Sequence, residues 1–138
     1  MYERILVALD HSEVSDRVLA AARELASMSK AEVWVLHLRE HEHTQLGGLV
    51  PAESDSNATA VVDSAVTALT DAGLEAHAEV RATVFGHAAR EIMEDARDHD
   101  VSVIVMGCRG RGKLAGMVLG STSHKVIHLA DRPVLVVR

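Results

Sequence analysis

The chain predicts a doubly wound α/β domain with a five-stranded parallel sheet. Short runs of branched apolar residues alternate with alanine-rich stretches at helical spacing, and this alternation is the signature of βαβ units. Hydrophobic residues make up 48% of the 138 residues and aromatics only 2%, so the core is built from Val, Leu, Ile, Ala and Met. The first apolar run stops at a polar cluster, Asp10-His11-Ser12, as a buried strand entering a turn does.

Each element has its own warrant. Arg4 to Leu9, RILVAL, is the first strand. Ser12 can cap the first helix, with Glu13 and Asp16 placing negative charge in its first turn. Val14, Val18, Ala22 and Leu25 then recur at helical spacing up to about Ser29. Ala31 to Leu38, AEVWVLHL, is the second strand. Residues 39 to 57 are polar and His-rich with neither period, and read as a long loop. Ala58, Val61, Ala65, Leu69 and Ala72 mark the second helix, ended by Gly73. In HAEVRATV, polar His77, Glu79, Arg81 and Thr83 alternate with Ala78, Val80, Ala82 and Val84, the pattern of an edge strand exposed on one face. Gly86 opens a third helix carrying Ala89, Ile92, Met93 and Ala96. VSVIVMG is a central fourth strand, STSHKVIHLA a fourth helix from about Gly120, and RPVLVVR the last strand, with Pro133 tolerated at its start.

In such sheets ligands sit beyond the carboxyl ends of the strands, where strand order reverses. The loops with the most chemistry follow the first strand, at Asp10, and the fourth, at Gly107. They meet if those strands are neighbours, which gives the order 3-2-1-4-5 and leaves the alternating third strand at an edge.

Length fits a single domain over residues 1–138. The net charge of −6 argues against nucleic acid as a partner. Yet residues 101 to 130 contain no Asp or Glu and do contain Arg109, Arg111, Lys113 and Lys125, which suits a small anion. The single cysteine, Cys108, excludes an internal disulfide framework. No apolar run approaches the roughly eighteen residues that span a bilayer, and the start shows no signal-peptide core. The expectation is a cytoplasmic protein with no membrane association.

The stretch VMGCRGRGKLAGMVLGSTS, residues 105 to 123, can be overlaid with three nucleotide-binding patterns. A P-loop reading fails because Leu114 stands where a hydroxyl must hold Mg²⁺, and Gly116 and Gly120 interrupt the helix that should follow. A dinucleotide fingerprint from Gly110 to Ala115 belongs in the first βαβ unit, with an acid about twenty residues on at the end of the next strand, where this chain has Arg138. Neither condition is met. The pattern G-x2-G-x9-G-S, through Gly107, Gly110, Gly120 and Ser121, fits the element order. Gly107 and Gly110 flank the turn leaving the fourth strand, where backbone can approach a ribose or phosphate. Gly120 and Ser121 begin a helix whose N–H groups, with the hydroxyls of Ser121, Thr122 and Ser123, suit phosphate.

On these residues, together with ILVALD, HSEVS, VWVLHL, VIVMGCRGRG and PVLVV, the chain resembles the ATP-binding branch of the universal stress proteins over essentially its whole length. The resemblance implies a flavodoxin-like three-layer sandwich of the adenine nucleotide alpha hydrolase kind, of order 3-2-1-4-5. It also implies a homodimer pairing through the last strand. Carried over residue by residue, it places Asp10 against the ribose, with Ala8, Leu9 and Leu38 around the adenine. Met106, Gly107, Arg109 and Gly110 would line ribose and phosphates, and Gly120, Ser121, Thr122 and Ser123 would hold the phosphate chain. Cys108 stands where many members have Ser.

Plainer roles stand beside these. Asp10 could cap the turn after its strand, and Arg109, Arg111 and Lys113 could be a solvated loop. His124 and His128 have metal-like spacing but no third ligand in sequence, and His41 and His43 are in the same position; no metal site is expected. Cys108, a small loop residue, is a weak candidate redox sensor. His11, His37 and Trp34 read as packing or surface residues. Val134, Leu135, Val136 and Val137 form a bare apolar edge that invites pairing, so a homodimer is expected on physical grounds also. The function that follows is a regulatory protein binding ATP in stress response. Alternatives are slow ATP hydrolysis with Mg²⁺ and Asp10 orienting water, a nucleotide-free dimeric adaptor, and cyclic AMP as the ligand. No set of catalytic residues converges in sequence.

Overall fold

Residues 2–108 and 119–138 are described by the computed structural model. Continuous branched runs form strands, and alanine-rich amphipathic stretches form helices. In chain order these are β1 (Arg4–Leu9), α1 (Ser15–Ser29), β2 (Glu32–His43), β3 (Leu49–Pro51), α2 (Asp55–Asp71), β4 (Ala76–Val84), α3 (Ala88–Asp98), β5 (Val103–Gly107), α4 (Ser121–Leu129) and β6 (Val134–Val137).

Successive strand residues point to opposite faces, and two cores follow. Ile5, Val7, Val33, Val35, Val103 and Val105 meet Val18, Ala22 and Ala26 of α1 and Val62, Ala65 and Leu69 of α2. On the other face Leu6, Leu36, Ile104 and Met106 meet Ala89, Ile92, Met93 and Ala96 of α3 and Val126 of α4. The result is a three-layer sandwich. The five parallel strands lie in the order β4-β2-β1-β5-β6, which is the expected 3-2-1-4-5. β6 forms one edge, with Leu135 exposed.

The expected loop over 39 to 57 is largely a hairpin. β2 runs on to His43, and β3 returns antiparallel, pairing His41 with Pro51 and His43 with Leu49. His41 also pairs with Val84 of β4, so β3 lies on the β1 side of β2, past the carboxyl end of β1. Periodicity misses this extension because REHEH, the last part of β2, is polar on both faces. α2 accordingly starts earlier than expected, with Ser54 Oγ accepting the Asn57 N–H at 3.2 Å. Its C-terminus is as expected: Gly73 has φ +82°, and Leu74 N–H reaches back to Leu69 O at 3.1 Å.

The edge strand β4 turns its polar residues inward. Ala78, Val80 and Ala82 are exposed, while His77, Glu79, Arg81 and Thr83 are half-buried or buried. The polar side chains reach α3: Arg81 pairs with Glu91 at 3.6 Å, Asp95 at 3.4 Å and Asp98 at 3.6 Å, and His99 pairs with Glu79 at 2.8 Å. The Trp34 ring stacks on His77 and His99, with centroids 4.4 and 3.6 Å apart.

Asp95 is fully buried in this cluster. Burial and the adjacent Glu79 carboxylate push it up from 3.8 to about 8. Glu79 is held below its ordinary value: hydrogen bonding to Asp95 and His99 outweighs its own burial. In the unfolded chain Asp95 ionises at its ordinary value, while in the folded chain it keeps its proton. Its stabilising contribution is therefore full below 3.8 and is lost as pH rises toward about 8. Glu79 acts oppositely, contributing above 4.5 and losing that contribution as pH falls. We expect the thermal midpoint to fall between about pH 5 and 8, and Asp95→Asn, which cannot ionise, to flatten that fall. Melting curves by circular dichroism across this range measure it, and identical slopes for parent and variant contradict it.

Candidate functional site

α1 and α2 cover one face and α3 and α4 the other, so the connections part company between β1 and β5. A cleft of about 300 Å³ opens there. Ala8, Leu9 and Asp10 from the end of β1, Leu38 from β2, and Met106 and Gly107 from β5 line it. Gly120, Ser121, Thr122 and Ser123 close it from the start of α4. Ten residues singled out from sequence thus meet in one place. Arg109 and Gly110, with Arg111 and Lys113, lie outside the described residues.

The α4 end of the cleft offers donors. Its first helical bond runs from His124 N–H to Gly120 O at 3.0 Å, so the N–H groups of Ser121, Thr122 and Ser123 have no acceptor within the helix. Gly120 is the N-cap residue and supplies no side-chain cap. Its φ of −71° and ψ of 165° are open to any residue, so backbone conformation alone does not demand glycine. Ser123 is buried, and its hydroxyl donates to Cys108 O at 2.8 Å. Cys108 O also accepts Gly120 N–H, and Cys108 N–H donates to Val137 O at 2.8 Å. Ser123 is therefore a bracket tying α4 to β5, and its hydroxyl hydrogen is already committed. The Cys108 thiol is buried, which removes the exposure a redox sensor needs.

At the β1 end, Asp10 shapes the turn. Its Oδ1 accepts Ser12 N–H at 2.8 Å and the Ser15 hydroxyl at 3.2 Å, and Asp10 O accepts the same hydroxyl at 2.6 Å. Ser12 is accordingly not the helix cap. α1 begins at Ser15 after Val14, which has no side-chain cap bond, because the Asp10 side chain takes over the turn. The Ser12 hydroxyl oxygen lines the cleft region shielded from solvent, with no hydrogen-bond partner among the described residues.

Sequence reasoning missed the wall formed by His11, His37 and Glu53, and also Phe85 at the rim. Leu9 O accepts His37 Nδ1–H at 2.7 Å; a carbonyl only accepts, so Nδ1 is a donor and Nε2 is the atom turned to Glu53. The two carboxylate oxygens of Glu53 take one imidazole each, Nε2 of His11 and Nε2 of His37. Burial by itself would raise the Glu53 carboxyl, but the hydrogen bonds from His11 and His37 outweigh it and hold the group below its ordinary value. No period or motif announces this trio, because its third member sits where the sequence reads as loop. His124 and His128, whose spacing does suggest ligands, are exposed on α4.

The universal stress protein family model matches residues 1–138. The chain belongs to the universal stress protein family. Universal stress protein YxiE of Bacillus subtilis is 35% identical, with all of both chains covered. The solved structure of MJ0577, a universal stress protein of Methanocaldococcus jannaschii, superposes with a TM-score of 0.81 at 24% identity, covering 99% of this chain and 96% of that one; it bears on the fold alone. A universal stress protein from Archaeoglobus fulgidus, solved in complex with dAMP, is 26% identical with a TM-score of 0.75, covering 99% and 98%. The flavodoxin-like sandwich expected from sequence is thus the fold shared with these universal stress proteins.

The Ser123 bracket is testable. Ser123→Ala removes one buried hydrogen bond, and we expect a loss of about 1 kcal/mol in urea or guanidinium unfolding. No loss would mean that the α4 start is held by other contacts.

Proposed function

We infer that the chain is a regulatory stress protein that binds an adenine nucleotide, ATP, in the cleft between the ends of β1 and β5. The convergence of the ten sequence-selected residues on one cleft carries this reading. Its volume lies at the lower end of the roughly 300–1,000 Å³ typical of ligand sites. Its two ends differ as the two ends of a nucleotide do. Ala8, Leu9 and Leu38 offer an apolar wall for a base, whereas the start of α4 offers N–H groups, the Ser121 and Thr122 hydroxyls and a helix dipole for phosphates. The Asp10 Oδ2, outside the bonds that shape the turn, is the atom left to accept a ribose hydroxyl. The shielded Ser12 hydroxyl lies in the same cleft and gains a partner from a bound polar group. That the Archaeoglobus relative was solved with dAMP supports an adenine nucleotide as the ligand class. By the family pattern carried over from sequence, Arg109 and Gly110, outside the described residues, would line ribose and phosphates.

Binding, with at most slow hydrolysis, is the activity assigned. Mg²⁺ would accompany the phosphates where hydrolysis occurs. The exposed edge of β6, with Leu135 outward, supports pairing of two copies through Val134–Val137.

Calorimetric titration with ATP, dAMP and cyclic AMP tests the reading. We expect ATP to bind the parent with one site per chain. Gly120→Leu, whose backbone angles a leucine can adopt, should weaken it by more than about tenfold by filling the approach to α4 (about 1.4 kcal/mol). ATP binding unchanged in Gly120→Leu would remove nucleotide from this cleft, and tighter cyclic AMP than ATP would reassign the ligand.

A further inference from the structure

We propose that His11, His37 and Glu53 form a binding site for one divalent transition-metal ion of the zinc class, set in the wall of the cleft. Each offers one donor atom, and the three atoms lie within 4.8 Å of one another; Nε2 of both histidines faces the Glu53 carboxylate. That spacing lets a single ion between them reach all three at ordinary zinc distances of about 2.0–2.2 Å with small side-chain movement. Two imidazoles and a carboxylate suit zinc and its neighbours in the transition series, whereas Mg²⁺ and Ca²⁺ favour all-oxygen sets.

The surroundings are built for ligation. His37 is 3% exposed, and its Nδ1–H is anchored on Leu9 O at 2.7 Å. This is the outer contact that fixes a ligating histidine with Nε2 presented. The Glu53 side chain is 7% exposed, so its charge requires close partners, and both its oxygens already face imidazole nitrogens. The His11 and His37 rings meet edge to face with centroids 5.1 Å apart, which directs the two Nε2 atoms to the same carboxylate without stacking the rings.

Among the described residues, two other groups of donors are less suited. Around Glu79, Asp95 and His99, Arg81 supplies the positive charge. Around Glu32, Glu75 and His77, Arg4 contacts Glu32 and the Glu75 side chain is 71% exposed.

The three ligands come from three segments: the turn after β1, β2 itself, and the stretch between β3 and α2. A bound ion therefore fastens the returning limb of the hairpin to the sheet. Three protein ligands leave one position of a tetrahedral shell for water or for a donor in the cleft, since all three residues line that cleft.

Chelator-treated protein is titrated with zinc sulfate in the absence of nucleotide, against a chromophoric zinc indicator. Cobalt(II) is then added to fresh protein to read coordination from its visible absorption. We expect one zinc per chain, a rise in thermal midpoint with zinc, and cobalt bands of four-coordinate intensity. His11→Ala and Glu53→Gln should each weaken zinc by at least about tenfold, since even outer-shell partners are worth 10–100-fold. The double variant His41→Ala/His43→Ala, in the same hairpin, should bind as the parent does. Circular dichroism confirms that each variant is folded; Glu53→Gln preserves shape where a variant at buried His37 could not be relied on to do so. No stoichiometric zinc in the parent, or affinity in His11→Ala and Glu53→Gln equal to the parent's, overturns the site. Because nucleotide is absent, this result is independent of whether ATP binds.

Discussion

β1 is hydrogen-bonded along both flanks, to β2 from Arg4 to Leu9 and to β5 from Ile5 to Val7. That central pairing is the constraint on which the rest depends. From β1 the chain winds outward through α1, β2, α2 and β4 with its helices on one face. It then crosses to β5, α4 and β6 with helices on the other. Helices on opposite faces cannot both pack over the junction of β1 and β5, so their ends diverge and a cleft remains. Residues about a hundred positions apart, Asp10 and Ser121, are brought to one cleft by backbone pairing before any ligand is considered.

Each end of that cleft is held by a backbone carbonyl. Cys108 O gathers Gly120 N–H and the Ser123 hydroxyl, so α4 starts at a fixed place relative to β5. Leu9 O takes His37 Nδ1–H, so β2 presents His37 at a fixed angle beside the end of β1. Between these supports, Asp10 spends one oxygen on its own turn, and Glu53 joins the hairpin to two histidines. The cleft is therefore polar at its rims and apolar along the Ala8, Leu9 and Leu38 wall. Such a division favours a ligand with a flat apolar part and a charged part.

Much of this was legible in the sequence because the relevant signals are local. Branched apolar runs mark β1, β2 and β5; the turn after α2 needs a residue with positive φ and has Gly73; and the spacing from Gly107 to Ser121 names the ends of one connection. What was not legible has a common cause. The REHEH part of β2 has no apolar face, so its strand character comes from pairing with β3 and β4 and from no period of its own. The inward-turned Glu79 and Arg81 find their partners, Glu91, Asp95 and His99, on or just after a distant helix. Likewise His11, His37 and Glu53 are unrelated in spacing and become neighbours only when the hairpin folds back over β1. The role of Ser123 differs in kind: its identity suggested a ligand contact, and its burial shows that the hydroxyl holds the fold.

Amide hydrogen exchange with and without ATP tests most directly whether the junction of β1 and β5 is the binding site. Added nucleotide should slow exchange in residues 8–12, 36–40, 106–108 and 119–124 together, and leave the outer strand β4 and the end of α3 as they were. Protection confined to other segments, or none at these four while ATP is bound, would contradict the account.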